Sequence, residues 1–121
     1  MTQKVHEIDF GLFTFLDDST VVATAKEGVN IDAVKVQQAI DLIENELVGG
    51  YSLILERKYD YSIMPVEVYK YFASLKRLKA IAIVSSSGRK FLPDSMEQNI
   101  FGRDIEMFVS IEDAHEWLKS I

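Results

Sequence analysis

The first quarter of the chain carries two runs with the apolar pattern of β-strands. Residues 5–16 include Phe13 and Phe15 with a polar position between them, and residues 20–25 are again apolar and β-branched. A period of two is typical of a strand with one buried face. The polar residues 17–19 suit a tight turn, so the pattern predicts a hairpin of two antiparallel strands.

From Asn30 onward the apolar spacing changes to that of a helix. Apolar side chains recur at intervals of three and four residues, at Val36, Ala39, Ile40, Ile43 and Leu47. This spacing predicts an amphipathic helix. Asn30 suits the N-cap position, and Gly49 and Gly50 supply the glycine that commonly follows a helix end.

A strand and a second helix follow. Residues 51–55 form a short apolar run, and Pro65 then stands in the predicted first helical turn, where its missing N–H costs nothing. One apolar stripe of this helix comprises Val68, Tyr71, Phe72, Leu75 and Leu78. Residues 80–84 are small or β-branched on both faces, which is typical of a parallel strand covered by helices, so we expect this strand in the middle of the sheet.

The apolar pattern of the C-terminal third predicts two more helices and one more strand. Residues 89–101 have helical spacing interrupted by Pro93, which indicates a short or broken helix, and residues 105–109 form the last strand. Ser110 with Asp113 three residues later resembles a capping box at the start of a final helix. The predicted fold is a single α/β domain, residues 1–121, in the order ββαβαβαβα. Its sheet is mixed and mostly parallel, with an N-terminal antiparallel hairpin and helices packed on it.

This order, together with the segment Phe108-Val109-Ser110-Ile111-Glu112-Asp113-Ala114-His115-Glu116-Trp117-Leu118, resembles the SpoIIAA-like (STAS/CRAL-TRIO-like) bacterial proteins. The resemblance implies a small cytoplasmic module. Its better-known relatives antagonise anti-sigma factors through protein contacts that serine phosphorylation switches. The turn that corresponds to their Asp-Ser-Ser-Gly switch is residues 59–62 here, where Ser62 is present but the second serine and the glycine are missing.

Composition narrows the classes of function. The 121 residues include no cysteine and carry a formal net charge of −6, which excludes thiolate chemistry and disfavours nucleic-acid binding. The charge is uneven: three basic and nine acidic residues in 1–55 (−6), eight and three in 56–90 (+5), and two and seven in 91–121 (−5). No apolar run approaches the length of a membrane span or a signal core, so we expect a cytoplasmic protein without a transmembrane segment.

Two loops after predicted core strands are the candidate ligand site. In open α/β sheets, ligands bind beyond the carboxyl ends of the strands, and a Ser/Gly turn before a helix presents N–H groups to an anion. The candidate residues are Ser85, Ser86, Ser87, Gly88 and Arg89 in one loop and Tyr59, Tyr61 and Ser62 in the other. They suit a small anionic or lipid-like ligand. The alternative is that the serines only cap a helix and the cations are solvated.

The positive segment 56–90 also suggests a protein-binding face. Tyr69, Lys70, Lys76 and Arg77 lie on or beside the second helix, where an exposed aromatic side chain among cations would suit an acidic protein partner. A homodimer formed through the edge of the N-terminal hairpin is a further expectation.

The sequence favours a non-catalytic module. His6 and His115 have no metal-binding neighbourhood, and we expect His115 to face solvent on the final helix. No nucleophile is paired with a base at a recognisable spacing, and nothing calls for a cofactor or a metal. A regulatory or protein-interaction module is therefore the first hypothesis, and a carrier or sensor of a small ligand is the alternative.

Overall fold

The described part of the chain starts with three antiparallel strands: β1 (Lys4–Ile8), β2 (Gly11–Asp17) and β3 (Thr20–Ala25). The computed structural model describes residues 4–26, 33–56, 70–72, 74–84 and 104–120. The expectation of one strand over residues 5–16 is wrong, because Asp9 and Phe10 form a turn that pairs Ile8 with Gly11. The predicted hairpin is confirmed as β2 and β3.

The other three strands of the sheet run parallel to β3: β4 (Tyr51–Glu56), β5 (Leu78–Val84) and β6 (Asp104–Phe108). The strands lie in sequence order, β1 to β6, across one six-stranded sheet. The expectation that residues 80–84 lie in the middle is wrong, because β5 neighbours the edge strand β6. Its burial on both faces comes from packing above and below the sheet. Leu78 begins β5 and does not belong to the preceding helix.

The mixed, mostly parallel α/β sheet is confirmed, with one strand more at its start than the predicted order contains. The outer side of β1 pairs with no other described strand. This is the geometry that a homodimer through the hairpin edge requires, and the homodimer itself stays a prediction. The predicted helix over residues 89–101 and the Asn30 cap lie outside the described residues.

Helix α1 (Ala33–Glu46) packs on one face of the sheet. Ile40 and Ile43 of its apolar stripe meet Phe13, Val21 and Leu53 there. Phe72, from the helical residues 70–72, is buried in the same cluster. Consecutive parallel strands joined by crossovers of one hand place their connecting helices on one face, which accounts for this shared core.

Helix α2 (Ile111–Ser120) covers the opposite face. Its Ala114 and Leu118 pack with Val22, Ile54 and Ala82. The predicted cap is confirmed: the Asp113 N–H donates to Ser110 Oγ at 3.2 Å, and the Ala114 N–H donates to the Ser110 carbonyl at 3.2 Å. Acidic side chains in the first turn complement the helix dipole.

One arginine ties the end of α1 to the sheet. The Arg77 guanidinium donates to the carbonyl oxygens of Glu44 (3.2 Å), Gly49 (3.1 Å) and Leu47. Its centre lies 5.7 Å from the ring centroid of Tyr51, a distance suited to a cation–π contact. Arg77 thus satisfies carbonyl groups that a helix end leaves without partners inside the helix.

Tyr51 also contacts the end of α1. It is fully buried, and its hydroxyl donates to Glu44 Oε2 at 2.8 Å. Burial and the neighbouring Glu44 carboxylate raise the pKa of Tyr51 well above its usual value. The phenol therefore stays neutral and keeps donating its proton.

We expect Arg77→Ala to lower the free energy of unfolding by about 1.5–3 kcal/mol, because hydrogen bonds from a charged group to helix-end carbonyls are lost. Arg77→Lys keeps the charge but not the planar fork, so it should recover only part of this stability. Urea denaturation measures both. The matched control is Lys76→Ala at the exposed neighbouring position, and an equal loss in that control would contradict the capping role.

Candidate functional site

The residues that the sequence analysis selected as a ligand site lie outside the described residues. They are Tyr59, Tyr61, Ser62, Ser85, Ser86, Ser87, Gly88 and Arg89. The strands that precede these two loops are described, and Glu56 and Val84 end side by side in the register of β4 and β5. The carboxyl edge from which both loops depart is therefore positioned as expected.

An apolar cleft opens between α1 and the sheet near this edge. Its volume is about 90 Å³, and it opens to solvent at its mouth. Its walls come from the β1–β2 turn, the α1 face of the sheet and α1 itself. The lining residues are Phe10, Gly11, Phe13, Ala23, Thr24, Ala25, Lys35, Val36, Ala39, Ile40, Ile43, Leu53, Leu55, Phe72 and Ile83.

Small residues account for the space. Ala23 and Ala25 of β3 and Ala39 of α1 stand where larger side chains would fill the gap. Gly11 permits close packing as well, since a Cβ there would lie 3.1 Å from the Thr24 carbonyl oxygen. A sequence signal is therefore present in β3, whose positions on the α1 side of the sheet change from Val21 to Ala23 and Ala25 towards the carboxyl edge.

The polar groups near the cleft are few. Lys35, half-buried in α1, is the one charged side chain among the described lining residues. Thr24 Oγ1 donates to Glu56 Oε1 at 2.8 Å, across neighbouring strands. Lys26 Nζ lies 2.9 Å from Glu7 Oε2. The cleft thus combines an apolar interior with a cationic group in its wall.

The four residues of the predicted partner face have different positions. Tyr69 lies outside the described residues, whereas Lys70 and Lys76 are exposed. Arg77 is committed to the carbonyl groups at the end of α1 and lies 3.8 Å from Glu44 Oε1. The exposed positive charge of this face therefore comes from the two lysines.

At the opposite edge of the sheet, His115 of α2 contacts Asp17 at the end of β2. The two atoms His115 Nε2 and Asp17 Oδ2 are 2.7 Å apart. Only 21% of the His115 side chain is exposed, so the expectation of a solvent-facing histidine is wrong. Residues 98 positions apart meet here, and neither helical spacing nor local sequence signals such a contact.

Asp17 is also held by its own turn. Its Oδ1 accepts hydrogen bonds from the Ser19 N–H at 2.8 Å and from Ser19 Oγ at 3.2 Å. Burial raises the pKa of Asp17, but the hydrogen bonds from His115, Ser19 and Thr20 together lower it below its usual value of 3.8. Asp17 therefore anchors α2 to the β2–β3 turn as a carboxylate.

His6, the second histidine, lies against α1. Its Nε2 is 3.5 Å from Glu46 Oε1, and its ring meets Phe15 edge-on with centroids 5.6 Å apart. Among the described residues, no group of three or more His, Cys, Asp or Glu side chains is arranged to hold a metal ion.

No helix within the described ranges has the length and apolar character needed to cross a membrane.

Comparison with known proteins found no matching family model, no matching curated protein and no matching solved structure.

We expect Asp17→Asn to destabilise the fold by about 1 kcal/mol at neutral pH, a modest value because 37% of the Asp17 side chain is exposed. A carboxyl with a lowered folded-state pKa stabilises the fold above its unfolded pKa, and this contribution is lost as pH falls through the folded value. The difference between wild type and variant should therefore shrink as pH falls from about 5 through the lowered pKa of Asp17.

Chemical denaturation across this pH range measures the effect, with Asp18→Asn at the exposed neighbouring turn position as the control. A stability difference for Asp17→Asn that stays the same down to the lowest pH would contradict the anchoring role.

Proposed function

We propose that this chain is a non-catalytic module that binds a small lipid-like ligand with an anionic head group in the apolar cleft at the carboxyl edge of the sheet. The observation that carries the proposal is the cleft itself, an apolar space of about 90 Å³ that opens to solvent beside a packed core. Ligand sites are typically concave, mostly apolar and supplied with a few polar groups that fix orientation.

The cationic Lys35 in the cleft wall favours a ligand with an anionic head group. The protein has a net charge of −6, yet the charged side chain among the described lining residues is the cation Lys35. A ligand with an apolar chain would bury that chain against Ile40, Leu53 and Phe72. Its anionic end would then lie near Lys35, where the long aliphatic stem of lysine can follow an apolar wall.

The test measures binding of cis-parinaric acid, a fluorescent fatty acid, to purified wild type and to Ala39→Phe. The phenylalanine fills part of the cleft, so we expect affinity to fall by about tenfold or more, which corresponds to about 1.4 kcal/mol. Gln38→Phe is the matched control, because Gln38 is exposed on the neighbouring position of the same helix.

Circular dichroism and the melting temperature establish that each variant is folded. No binding by wild type, or equal affinity for wild type and a folded Ala39→Phe variant, would refute the cleft as the site. Lys35→Gln tests the head group separately: it should weaken binding of the fatty acid and leave binding of the corresponding fatty alcohol unchanged.

The second candidate function is a regulatory interaction module of the SpoIIAA-like kind that binds an acidic protein partner. The exposed positions of Lys70 and Lys76 favour it, because both lie in the segment with a net charge of +5 in an acidic protein. Positive patches of this kind steer association with acidic surfaces. The resemblance of the C-terminal segment to SpoIIAA-like proteins adds support from the sequence.

For this candidate we expect Lys70→Gln/Lys76→Gln to lose a stoichiometric acidic partner that wild type retains during purification from its source. Gln37→Glu/Gln38→Glu is the control, since it changes the net charge by the same amount at exposed positions of α1. Cross-links between the partner and the face around Lys70 and Lys76 should be present in wild type. A partner retained equally by both double variants would refute this face.

A further inference from the structure

A second cleft lies at the amino edge of the parallel strands, opposite the apolar cleft. Its volume is about 190 Å³, and it is open to solvent. Its described lining residues are Asp17, Ser19, Thr20, Ser52, Lys79, Leu118 and Lys119. The side chains come from four places that are distant in sequence: the β2–β3 turn, the start of β4, the start of β5 and α2.

Two hydroxyl-bearing residues lie deep in this cleft. Thr20 is 4% exposed and Ser52 is 6% exposed, and they are the buried polar residues of the described core. They stand next to each other in the parallel register of β3 and β4. The Ser52 N–H donates to the Ser19 carbonyl at 2.8 Å, which fixes the β2–β3 turn against β4.

The carboxylate of the cleft already accepts several hydrogen bonds, whereas its two lysines are at most weakly paired with described carboxylates. The Asp17 carboxylate accepts from the Ser19 N–H, Ser19 Oγ and His115 Nε2. Lys79 forms no ion pair with a described carboxylate. Lys119 has an exposed i,i+3 contact with Glu116 at 3.6 Å, a type of pair that contributes little.

The two lysines reach the cleft from different elements. Lys79 extends from β5, and its stem lies over Gly50, where a Cβ would come within 2.6 Å of Lys79 Cε. Lys119 extends from the last turn of α2. With Asp17 included, the lining carries a net charge of +1 in a protein of net charge −6.

We infer that the amino-edge cleft is a binding site for a small oxyanion, the phosphate group of a small molecule being the chemistry that fits it. The oxygens of such a ligand can accept hydrogen bonds from the two ammonium groups and from the Ser52 hydroxyl. The ligand itself carries no donor, which suits a cleft whose two cations outnumber its one carboxylate. The site is independent of the apolar cleft, because the two clefts share no lining residue.

Inorganic phosphate is the probe. Titration followed by ¹⁵N–¹H NMR at constant ionic strength, with chloride as the balancing anion, should shift the backbone amides of Ser19, Thr20 and Ser52 in a saturable manner. We expect Lys79→Ala/Lys119→Ala to weaken phosphate binding by about tenfold or more, since two charged contacts are removed.

Lys70→Ala/Lys76→Ala is the matched control, because it removes the same charge from exposed positions that do not line this cleft. Unchanged binding in the control together with weaker binding in the cleft variant supports the site. Equal weakening in both variants, or shifts scattered over the surface without saturation, would overturn it. Fatty-acid binding should be the same in Lys79→Ala/Lys119→Ala and wild type, so the phosphate site and the apolar cleft are tested separately.

Discussion

The sequential order of the strands is the constraint on which the rest of this architecture depends. Because β3, β4, β5 and β6 are parallel and follow one another across the sheet, crossovers of one hand bring α1 and the helical residues around Phe72 to the same face. That face gains the larger core. The other face depends on α2, whose Ala114 and Leu118 close it. Each face therefore rests on elements far apart in sequence.

The attachment of α1 differs along its length. At its C-terminal end, Arg77 binds three carbonyl groups and the Tyr51 hydroxyl binds Glu44. Nearer its N-terminal end the helix meets alanines, and the apolar cleft opens there. Small side chains make fewer van der Waals contacts across the cleft. An unfilled cavity of this kind lowers the free energy of unfolding. Helix α1 is therefore held by polar contacts at its C-terminal end, while the cleft lies along Val36, Ala39 and Ile40.

The sequence predicted the elements whose signals are local. Helical spacing from Val36 to Leu47, the Ser110 cap and the β2–β3 hairpin were all readable, because each depends on residues within a few positions of one another. The turn at Asp9 and Phe10 is not readable from the pattern, since apolar residues alternate from Ile8 through Phe10 to Leu12 and an aromatic residue is a weak turn signal. Arg77 and His115 could not be assigned, because their partners lie about 30 and 98 positions away. Charge and spacing alone do not distinguish a helix-capping arginine from a surface cation.

The two clefts differ in chemistry because a parallel sheet gathers all its strand starts at one edge and all its strand ends at the other. Thr20, Ser52 and Lys79 occupy the first or second position of β3, β4 and β5 and line the polar cleft, whereas Ala25, Leu55 and Ile83, nearer the strand ends, line the apolar one. The length of the strands keeps the two edges roughly 17–20 Å apart. A ligand at one edge thus makes no direct contact with a ligand at the other. Coupling between the two edges would have to pass through the sheet, whose central strands are its most buried and least deformable part.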